Sequence, residues 1–253
     1  MIIINSIDQW ITIFKGFRKE KKSIGLIPTM GALHEGHMSL MERSIRENEL
    51  TAATIFVNPT QFNNPDDLTN YPVTWDEDVA KLESSGVDYL LSPTYKDLYR
   101  DAYKYKIIET EYSHDLCGTA RPGHFDGVLT VVMKLLNITG ATKTYFGEKD
   151  WQQYRLIKGM ADAFFIDTEI VSCPLIREES GLAMSSRNKR LTAEQKKMAP
   201  LFFKTISSGK NTETMKKELT DSGFVIDYLK IKDNRVFGAV FLGEVRLIDN
   251  VSI

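Results

Sequence analysis

Runs of apolar residues typical of buried strands alternate with amphipathic helical patterns over the first two thirds of this 253-residue chain. The strand-like runs lie at 24–27, 53–57, 87–91, 143–146 and 169–171, and the helical patterns between them lie at 36–47, 75–85, 126–138 and 149–163. Such alternation is typical of βαβ units, which build a parallel sheet with helices on both faces. We therefore predict an α/β fold built on a Rossmann-like, doubly wound parallel sheet.

The pattern changes after about residue 175. Helical patterns at 192–206 and 212–221 are followed by strand-like runs at 225–231, 236–242 and 244–248. Three consecutive runs of this kind predict a small antiparallel sheet. We therefore expect two domains, a Rossmann-like domain over residues 1–175 and a smaller α+β domain over residues 176–253.

Composition excludes several classes of protein. The net charge is -2 and the pI is about 6.1, so no basic field favours nucleic acid. No apolar run approaches the length that crosses a membrane, and the N-terminus lacks the basic flank of a signal peptide. Cys117 and Cys173 are far apart and form no CxxC motif. We therefore expect a cytoplasmic protein with reduced, structural cysteines and neither a nucleic-acid nor a membrane partner.

The segment Pro28–His37, with the sequence PTMGALHEGH, lies where a predicted strand turns into a predicted helix. It carries His34 and His37 three residues apart. A helix N-terminus attracts phosphate through its unpaired N–H groups and its dipole. Imidazoles at that point can donate hydrogen bonds to charge that develops on a phosphoryl group. Two alternatives remain, a metal-binding pair and helix-capping histidines without chemistry.

Two further motifs also follow predicted strands. Asn58 and Gln61 come after the second strand, and Gly147 comes after the fourth. Ligands of doubly wound sheets bind beyond the carboxyl ends of the strands, so we expect these motifs to converge on one crevice with His34. The amides can donate to a carboxylate and accept from a hydroxyl, which suits a hydroxy acid. The alternative is a plain turn, which Asn-Pro also favours.

The segment after Gly147 opens a helix and carries charge. Lys149 can place a point charge on phosphate, Asp150 can bind a ribose hydroxyl, and Gln153 lies one turn along the helix. A solvated helix start is the alternative.

Thr74 and Glu77 have the spacing of a capping box in front of another helix.

Two loops complete the set of motifs. Arg121–Val128, with the sequence RPGHFDGV, has the glycines and proline of a loop that precedes a helix. Further on, Ser185, Ser186 and Arg187 offer two hydroxyls and a permanent positive charge, which can cradle a triphosphate. The alternative for this second segment is an ordinary surface loop.

These motifs, taken together and in order, resemble the pantothenate synthetase family of the nucleotidyltransferase superfamily, whose signature is HxGH. The strings PTMGALHEGH, FVNPTQF, RPGHFDGV, GEKDWQQ and GLAMSSRN carry the resemblance between positions 28 and 188. The chain departs from the family pattern at Val73, where arginine is usual, and at Trp151, where tyrosine is more usual.

The resemblance implies an ATP-dependent ligase that condenses pantoate with β-alanine through a pantoyl adenylate, with ATP and Mg²⁺, in a homodimer. It implies catalytic roles for His34, His37, Lys149 and Arg187. The residues implied in binding fall into three sets by ligand: for ATP, Met30, Gly31, His34, His37, Gly147, Glu148, Lys149, Asp150, Ile176, Met184, Ser185, Ser186 and Arg187; for pantoate or β-alanine, Met30, Asn58, Gln61, His124 and Gln153; for the metal, Glu77 and Asp78.

Three other functions remain open at this point. A stand-alone nucleotidyltransferase would form a stable dinucleotide product and no AMP, but the amides at 58, 61 and 153 argue for a small polar acid. A class I aminoacyl-tRNA synthetase fragment would need an anticodon-binding domain and a basic surface. A non-catalytic nucleotide sensor would have no reason to keep His34, His37, Lys149 and Arg187 together.

Overall fold

The computed structural model describes residues 1–253. The chain forms two compact units, the first comprising Met1–Glu148 and Gln152–Cys173 and the second comprising Lys149–Trp151 and Pro174–Ile253. None of the helices has the length and the apolar composition needed to cross a membrane. The division into two domains, with a boundary between residues 175 and 176, stays a prediction.

The regular elements follow one another in the alternating order expected from the sequence. The strands are β1 (Ile2–Ile4), β2 (Ile24–Thr29), β3 (Leu50–Ile55), β4 (Tyr89–Leu91), β5 (Lys143–Gly147), β6 (Glu169–Cys173), β7 (Val225–Lys232), β8 (Arg235–Leu242) and β9 (Val245–Ser252). The helices are α1 (Ile7–Lys19), α2 (Glu35–Glu47), α3 (Pro65–Thr69), α4 (Trp75–Ser85), α5 (Tyr95–Leu98), α6 (Cys117–Ala120), α7 (His124–Thr139), α8 (Trp151–Ala163), α9 (Ala193–Met198), α10 (Pro200–Ile206) and α11 (Thr212–Asp221). Short 3₁₀ helices lie at Pro59–Gln61, Tyr112–His114, Glu148–Asp150 and Ser186–Arg190.

The first unit contains a parallel sheet of six strands in the order β1-β4-β3-β2-β5-β6. The order reverses between β2 and β5, because the strands that follow β2 along the chain first add on one side of it and then on the other. This is the topology of a doubly wound sheet, in which ligands bind where the order reverses. The predicted fold class is confirmed.

Buried aliphatic side chains explain why the inner strands pair in this register. Ile27 and Ala53 pack with Leu40 and Met41 of α2 and with Leu82 of α4, and all are at most 6% exposed. Strands that are covered on both faces become nearly continuous apolar runs, as β2 does. This burial fixes the carboxyl ends of β2 and β3 relative to α2 and α4.

The sequence analysis missed β1 and α1. Helix α1 begins after Ser6, whose hydroxyl accepts a hydrogen bond from the Gln9 N–H at 3.3 Å. Its apolar face buries Trp10 completely, and the indole N–H donates to the Thr139 hydroxyl on α7 at 3.2 Å. An amphipathic helix of this kind is stabilised mainly by such tertiary packing.

The second unit contains the expected antiparallel sheet, in the order β7-β8-β9. Asp233 and Asn234 have φ angles of 51° and 55° and form the tight turn between β7 and β8, a backbone conformation that these residue types tolerate well. The helical pattern predicted at 192–206 is confirmed, but the segment forms two helices, α9 and α10. Pro200 has no N–H to donate and lies in the first turn of α10.

Candidate active site

Three of the sequence motifs begin where neighbouring strands of the first unit end. The histidine turn follows β2, Asn58 follows β3, and Glu148 follows β5. Strand β2 pairs with β3 on one side and with β5 on the other, and all three run parallel. Since carboxyl ends of parallel strands meet at one edge, the candidate site lies at the point where the strand order reverses.

His34 and His37 cap the helix that follows them. His34 is the N-cap of α2, and its Nδ1 accepts a hydrogen bond from the Gly36 N–H at 3.2 Å. His37 Nδ1 accepts from the His34 N–H at 3.3 Å, and the two rings lie 4.1 Å apart between centroids. The capping alternative is therefore part of the structure. Capping is compatible with a catalytic role, because a neutral ring that accepts at Nδ1 carries its proton at Nε2 and can donate from there.

The turn in front of the histidines is held by Asp78 of α4. Its carboxylate accepts hydrogen bonds from the N–H groups of Ala32 and Leu33, each at 2.8 Å, and from the Thr74 hydroxyl at 3.1 Å. The capping box predicted for Thr74 and Glu77 is wrong, because the Thr74 side chain makes no cap hydrogen bond. The Thr74 hydroxyl donates to Asp78 instead.

The two residues proposed as metal ligands differ in their surroundings. Asp78 is 1% exposed and both its oxygens accept hydrogen bonds from the protein, whereas Glu77 lies on the exposed side of α4. The structure contains no group of three or more histidine, cysteine, aspartate or glutamate side chains arranged to hold a metal ion. Both oxygens of Asp78 are thus already used within the fold, and a metal-binding role for Glu77 and Asp78 stays a prediction.

Asn58 orients the side chain of Gln61. Asn58 is 1% exposed, and its Nδ2 donates to Gln61 Oε1 and to the Gly127 carbonyl, each at 3.2 Å. Gln61 Oε1 accepts from Asn58, and Gln61 Nε2 donates one of its two N–H groups to Met30 Sδ at 3.0 Å. The arrangement presents an N–H donor, which suits a carboxylate or hydroxyl oxygen of a small acid.

Tyr99 completes the support of Asn58, and the sequence analysis did not identify it. Its hydroxyl donates to Asn58 Oδ1 at 3.0 Å. Burial raises the pKa of Tyr99 to about 12, so the hydroxyl keeps its proton at neutral pH. The two residues are 41 positions apart, and no pattern in the sequence links them.

The loop before α7 is fastened to the backbone of Gln61. The Gln61 carbonyl accepts from His124 Nδ1 at 2.8 Å and from the Arg121 guanidinium at 3.2 Å. His124 is 8% exposed, so its hydrogen bond to the Gln61 carbonyl is largely shielded from water. Gly127, one turn further, packs directly against Thr60 and Gln61, and a side chain there would meet their backbone atoms.

The remaining predicted residues of the first unit lie at strand ends or in the first turn of a helix. Met30 and Gly31 belong to the turn after β2, and Gly147 and Glu148 lie at the end of β5. Gln153 is half-buried in the first turn of α8, whereas its neighbour Gln152 is buried and donates to the Tyr112 and Asp115 carbonyls at 2.8 Å.

A second group of predicted residues belongs to the second unit. The Lys149 carbonyl accepts from Asn250 Nδ2 at 3.0 Å, and Lys149 Nζ lies 3.9 Å from the Asp150 carboxylate. The Met184 N–H donates to the Ile176 carbonyl at 3.0 Å, which brings these two predicted residues together.

The serine–arginine loop of the second unit is internally ordered. The Ser185 hydroxyl accepts from the Arg187 N–H at 3.3 Å and caps the 3₁₀ helix that contains Ser186 and Arg187. Asn188 is buried, and its Nδ2 donates to Glu178 at 2.8 Å and to the Ala183 carbonyl at 3.0 Å. These contacts give a defined conformation to the loop on which Ser185, Ser186 and Arg187 follow one another.

An ion pair supports the hairpin that leads into this loop. Arg177 donates to both oxygens of Asp249, at 2.6 and 3.0 Å, and also to the Gly181 carbonyl at 3.0 Å. The Asp249 side chain is 2% exposed, so the pair is largely shielded from water. The sequence analysis named neither residue.

Comparisons with known proteins agree with the motifs. The family model for pantoate-beta-alanine ligase matches residues 2–252. The chain is similar to the pantothenate synthetase of Bdellovibrio bacteriovorus, with 54% identity over 93% of this chain and 94% of the relative. It is also similar to the pantothenate synthetase of Coxiella burnetii, with 47% identity over 98% of this chain and 96% of the relative.

Solved structures show the same similarity. The crystal structure of pantoate-beta-alanine ligase from Francisella tularensis, complexed with beta-gamma ATP and β-alanine, has a TM-score of 0.94 and 43% identity, and the match covers 100% of this chain and 97% of that one. The pantothenate synthetase structure from Thermus thermophilus has a TM-score of 0.91 and 32% identity, with coverage of 100% and 99%.

Proposed function

The chain belongs to the pantoate–β-alanine ligase family, and from this premise we propose that it joins pantoate to β-alanine through a pantoyl adenylate. It is an ATP-dependent ligase of the type that its relatives represent. The observation that carries the proposal is the turn after β2, where two histidines cap a helix at the point of reversal of a doubly wound sheet.

The first step forms a bond between a carboxylate oxygen of pantoate and the α-phosphorus of ATP. The bond from that phosphorus to the bridging oxygen breaks, and pyrophosphate leaves with the electron pair. Pantoate is ionised at neutral pH, so this step needs no general base. It needs alignment of the reactants and neutralisation of the charge on phosphorus.

The residues of this chain can supply that neutralisation. We assign the Nε2–H groups of His34 and His37 as donors to the phosphoryl oxygens, as the Nδ1 contacts of both rings favour. On the family pattern alone, Lys149 and Arg187 are assigned to supply positive charge, and Ser185 and Ser186 to supply further donors. Gly31, Gly147, Glu148, Asp150, Ile176 and Met184 are assigned to the ATP site on the family pattern alone.

The second step joins the amine of β-alanine to the acyl carbon. The unprotonated amine attacks, AMP leaves with the pantoate oxygen that bound phosphorus, and the amine proton passes to solvent. Gln61 Nε2 lies beside Met30 and is oriented by Asn58, which supports a role in binding the polar groups of the acid. His124 fastens the Gln61 backbone, and Gln153 is assigned to the same pocket.

Mg²⁺ enters this scheme as the metal of the MgATP substrate. Its chemistry is charge neutralisation on the phosphates, and no protein ligand is assigned to it because Asp78 is already used within the fold. We also propose a homodimer and a cytoplasmic location, both on the family resemblance alone. Sedimentation of the pure protein tests the first of these.

The experiment incubates the pure protein with ATP, Mg²⁺ and D-pantoate, with and without β-alanine, and follows AMP and pantothenate by chromatography. We expect the two products to rise together, and only when β-alanine is present. ATP binding without turnover would overturn the proposal in favour of a nucleotide sensor. His37→Gln should lower kcat about 10²–10³-fold. His114→Gln is the matched control, because His114 is exposed and lies outside the motifs.

A further inference from the structure

The turn between β2 and α2 has an unusual backbone. Gly31 and Ala32 are consecutive and both have positive φ, at 81° and 51°. Alanine rarely adopts this region, because its Cβ approaches the following carbonyl. A conformation of this kind persists only where the surroundings impose it.

Asp78 imposes this backbone conformation by accepting hydrogen bonds from the turn. Two successive N–H groups in such a turn form a concave site for an anion. Here the anion is the protein's own carboxylate, since Asp78 Oδ2 accepts from Ala32 and Oδ1 from Leu33, both at 2.8 Å. Asp78 is 1% exposed, so these hydrogen bonds are shielded from water.

Lys81 lies one helical turn after Asp78 on α4 and binds the same connection between β2 and α2. Its ammonium group donates to the Leu33 carbonyl at 2.7 Å. Both polar backbone groups of Leu33 are therefore bound by α4, one by Asp78 and one by Lys81. Leu33 immediately precedes His34, the N-cap of α2.

We propose that Asp78 and Lys81 form a clamp that positions His34 and His37 for adenylation. The clamp fixes the backbone on which the two Nδ1 hydrogen bonds depend, and those bonds keep the proton of each neutral ring at Nε2. Asp78 and Lys81 are thus positioning residues that act through the turn and touch no substrate. The inference rests on the proposed function for its kinetic consequence, but not for its structural one.

The test compares Asp78→Asn with Lys81→Met and with a matched control, Asp88→Asn. Asp88 also accepts a backbone hydrogen bond, from the Thr51 N–H at 2.8 Å, but it lies at the start of β4 and away from the histidine turn. Asparagine at 78 would point an amide group at one of the two N–H donors. Methionine at 81 keeps the aliphatic stem and removes only the donor.

Two measurements are made on each folded variant. Nitrogen-15 NMR of the histidine rings without substrate reports which ring nitrogen carries the proton. Steady-state kinetics report kcat and the KM values for ATP and β-alanine. For Asp78→Asn we expect mixed ring tautomers and a kcat about 10²-fold lower, as for a catalytic group displaced by about 1 Å, with an unchanged KM for β-alanine. Lys81→Met should shift both readouts in the same direction, with about a 3- to 10-fold loss of kcat.

Several results would contradict the proposed clamp. Wild-type ring tautomers and kcat in both clamp variants would overturn the proposal, as would effects of the same size in Asp88→Asn. Recovery of the Asp78→Asn rate at high Mg²⁺ would assign Asp78 to metal binding instead. If Asp78→Asn does not fold, Lys81→Met carries the test. If the wild-type protein shows no turnover, the proposed function fails while the ring spectra still decide on the clamp.

Discussion

Gly127 is a position at which the addition of one methyl group should displace Gln61, the residue proposed to bind the acid substrate. It lies in the first turns of α7, where a Cβ atom would come within 2.7 Å of Gln61 N and closer still to the Thr60 carbonyl. Ordinary contacts of a Cβ begin at 3.4 Å, so the backbone at Gln61 must retreat by about 0.7 Å or more in Gly127→Ala. Both contacting groups are backbone atoms and cannot simply rotate away.

The displaced segment carries Gln61 and its partner Asn58. A shift approaching 1 Å in a substrate-positioning group can cost about 10²-fold in rate. Overpacking costs about 1–3 kcal/mol in stability, against which alanine recovers about 1 kcal/mol of helix propensity. We therefore expect Gly127→Ala to fold, with kcat/KM for pantoate lowered about 10²-fold and the affinity for ATP little changed.

The assay is steady-state formation of pantothenate at varied pantoate, together with urea unfolding. Gly159→Ala is the matched control, because Gly159 also lies in a helix but a Cβ there meets nothing within 4 Å. That variant should gain about 0.5–1 kcal/mol in stability and keep its kinetics. Wild-type kcat/KM for pantoate in Gly127→Ala would refute the argument that the contact between α7 and Gln61 positions the pocket.

Three further predictions concern charge. Lys149→Ala should slow adenylation about 10²-fold with little change in melting temperature, because the Lys149 backbone stays bound to the C-terminal sheet. Asp249→Asn should lower the free energy of unfolding in urea by about 3 kcal/mol, because it leaves Arg177 without a counter-charge; a loss below about 0.5 kcal/mol would contradict this. Hydrogen bonding to Arg43 lowers the pKa of Glu47 to about 2, so Glu47 contributes stability above about pH 4.5 that is lost as the pH falls toward 2. Glu47→Gln should therefore be less stable than the wild type by about 1 kcal/mol at about pH 6 and converge with it at about pH 2, as pH-dependent unfolding would show.

The parallel sheet and the place of its candidate site at the strand ends were predictable because the signals are local. The apolar run before Pro28 and the glycines of the following turn determine where β2 ends and α2 begins. In the same way, Asn58 and Pro59 begin a 3₁₀ helix shortly after the end of β3. Strands that end in motifs place those motifs at one edge once they are parallel, so the position of the site follows from the alternation of elements.

Other features depend on contacts between residues far apart in sequence. Thr74 lies at a position typical of a helix cap, but its hydroxyl donates a hydrogen bond to the buried Asp78 instead. Tyr99 supports Asn58 from the end of α5, and no periodicity indicates such a contact. Local patterns specify elements and motifs, whereas tertiary packing decides which polar side chains face the ligand and which hold the others in place.

The proposed reaction activates pantoate by bonding its carboxylate oxygen to the α-phosphorus of ATP. The most direct test supplies pantoate labelled with oxygen-18 in its carboxylate, together with ATP, Mg²⁺ and β-alanine, and determines the mass of the AMP formed. We expect each AMP to carry one labelled oxygen, because that oxygen leaves with the phosphorus. Unlabelled AMP, or ADP with labelled inorganic phosphate, would contradict it.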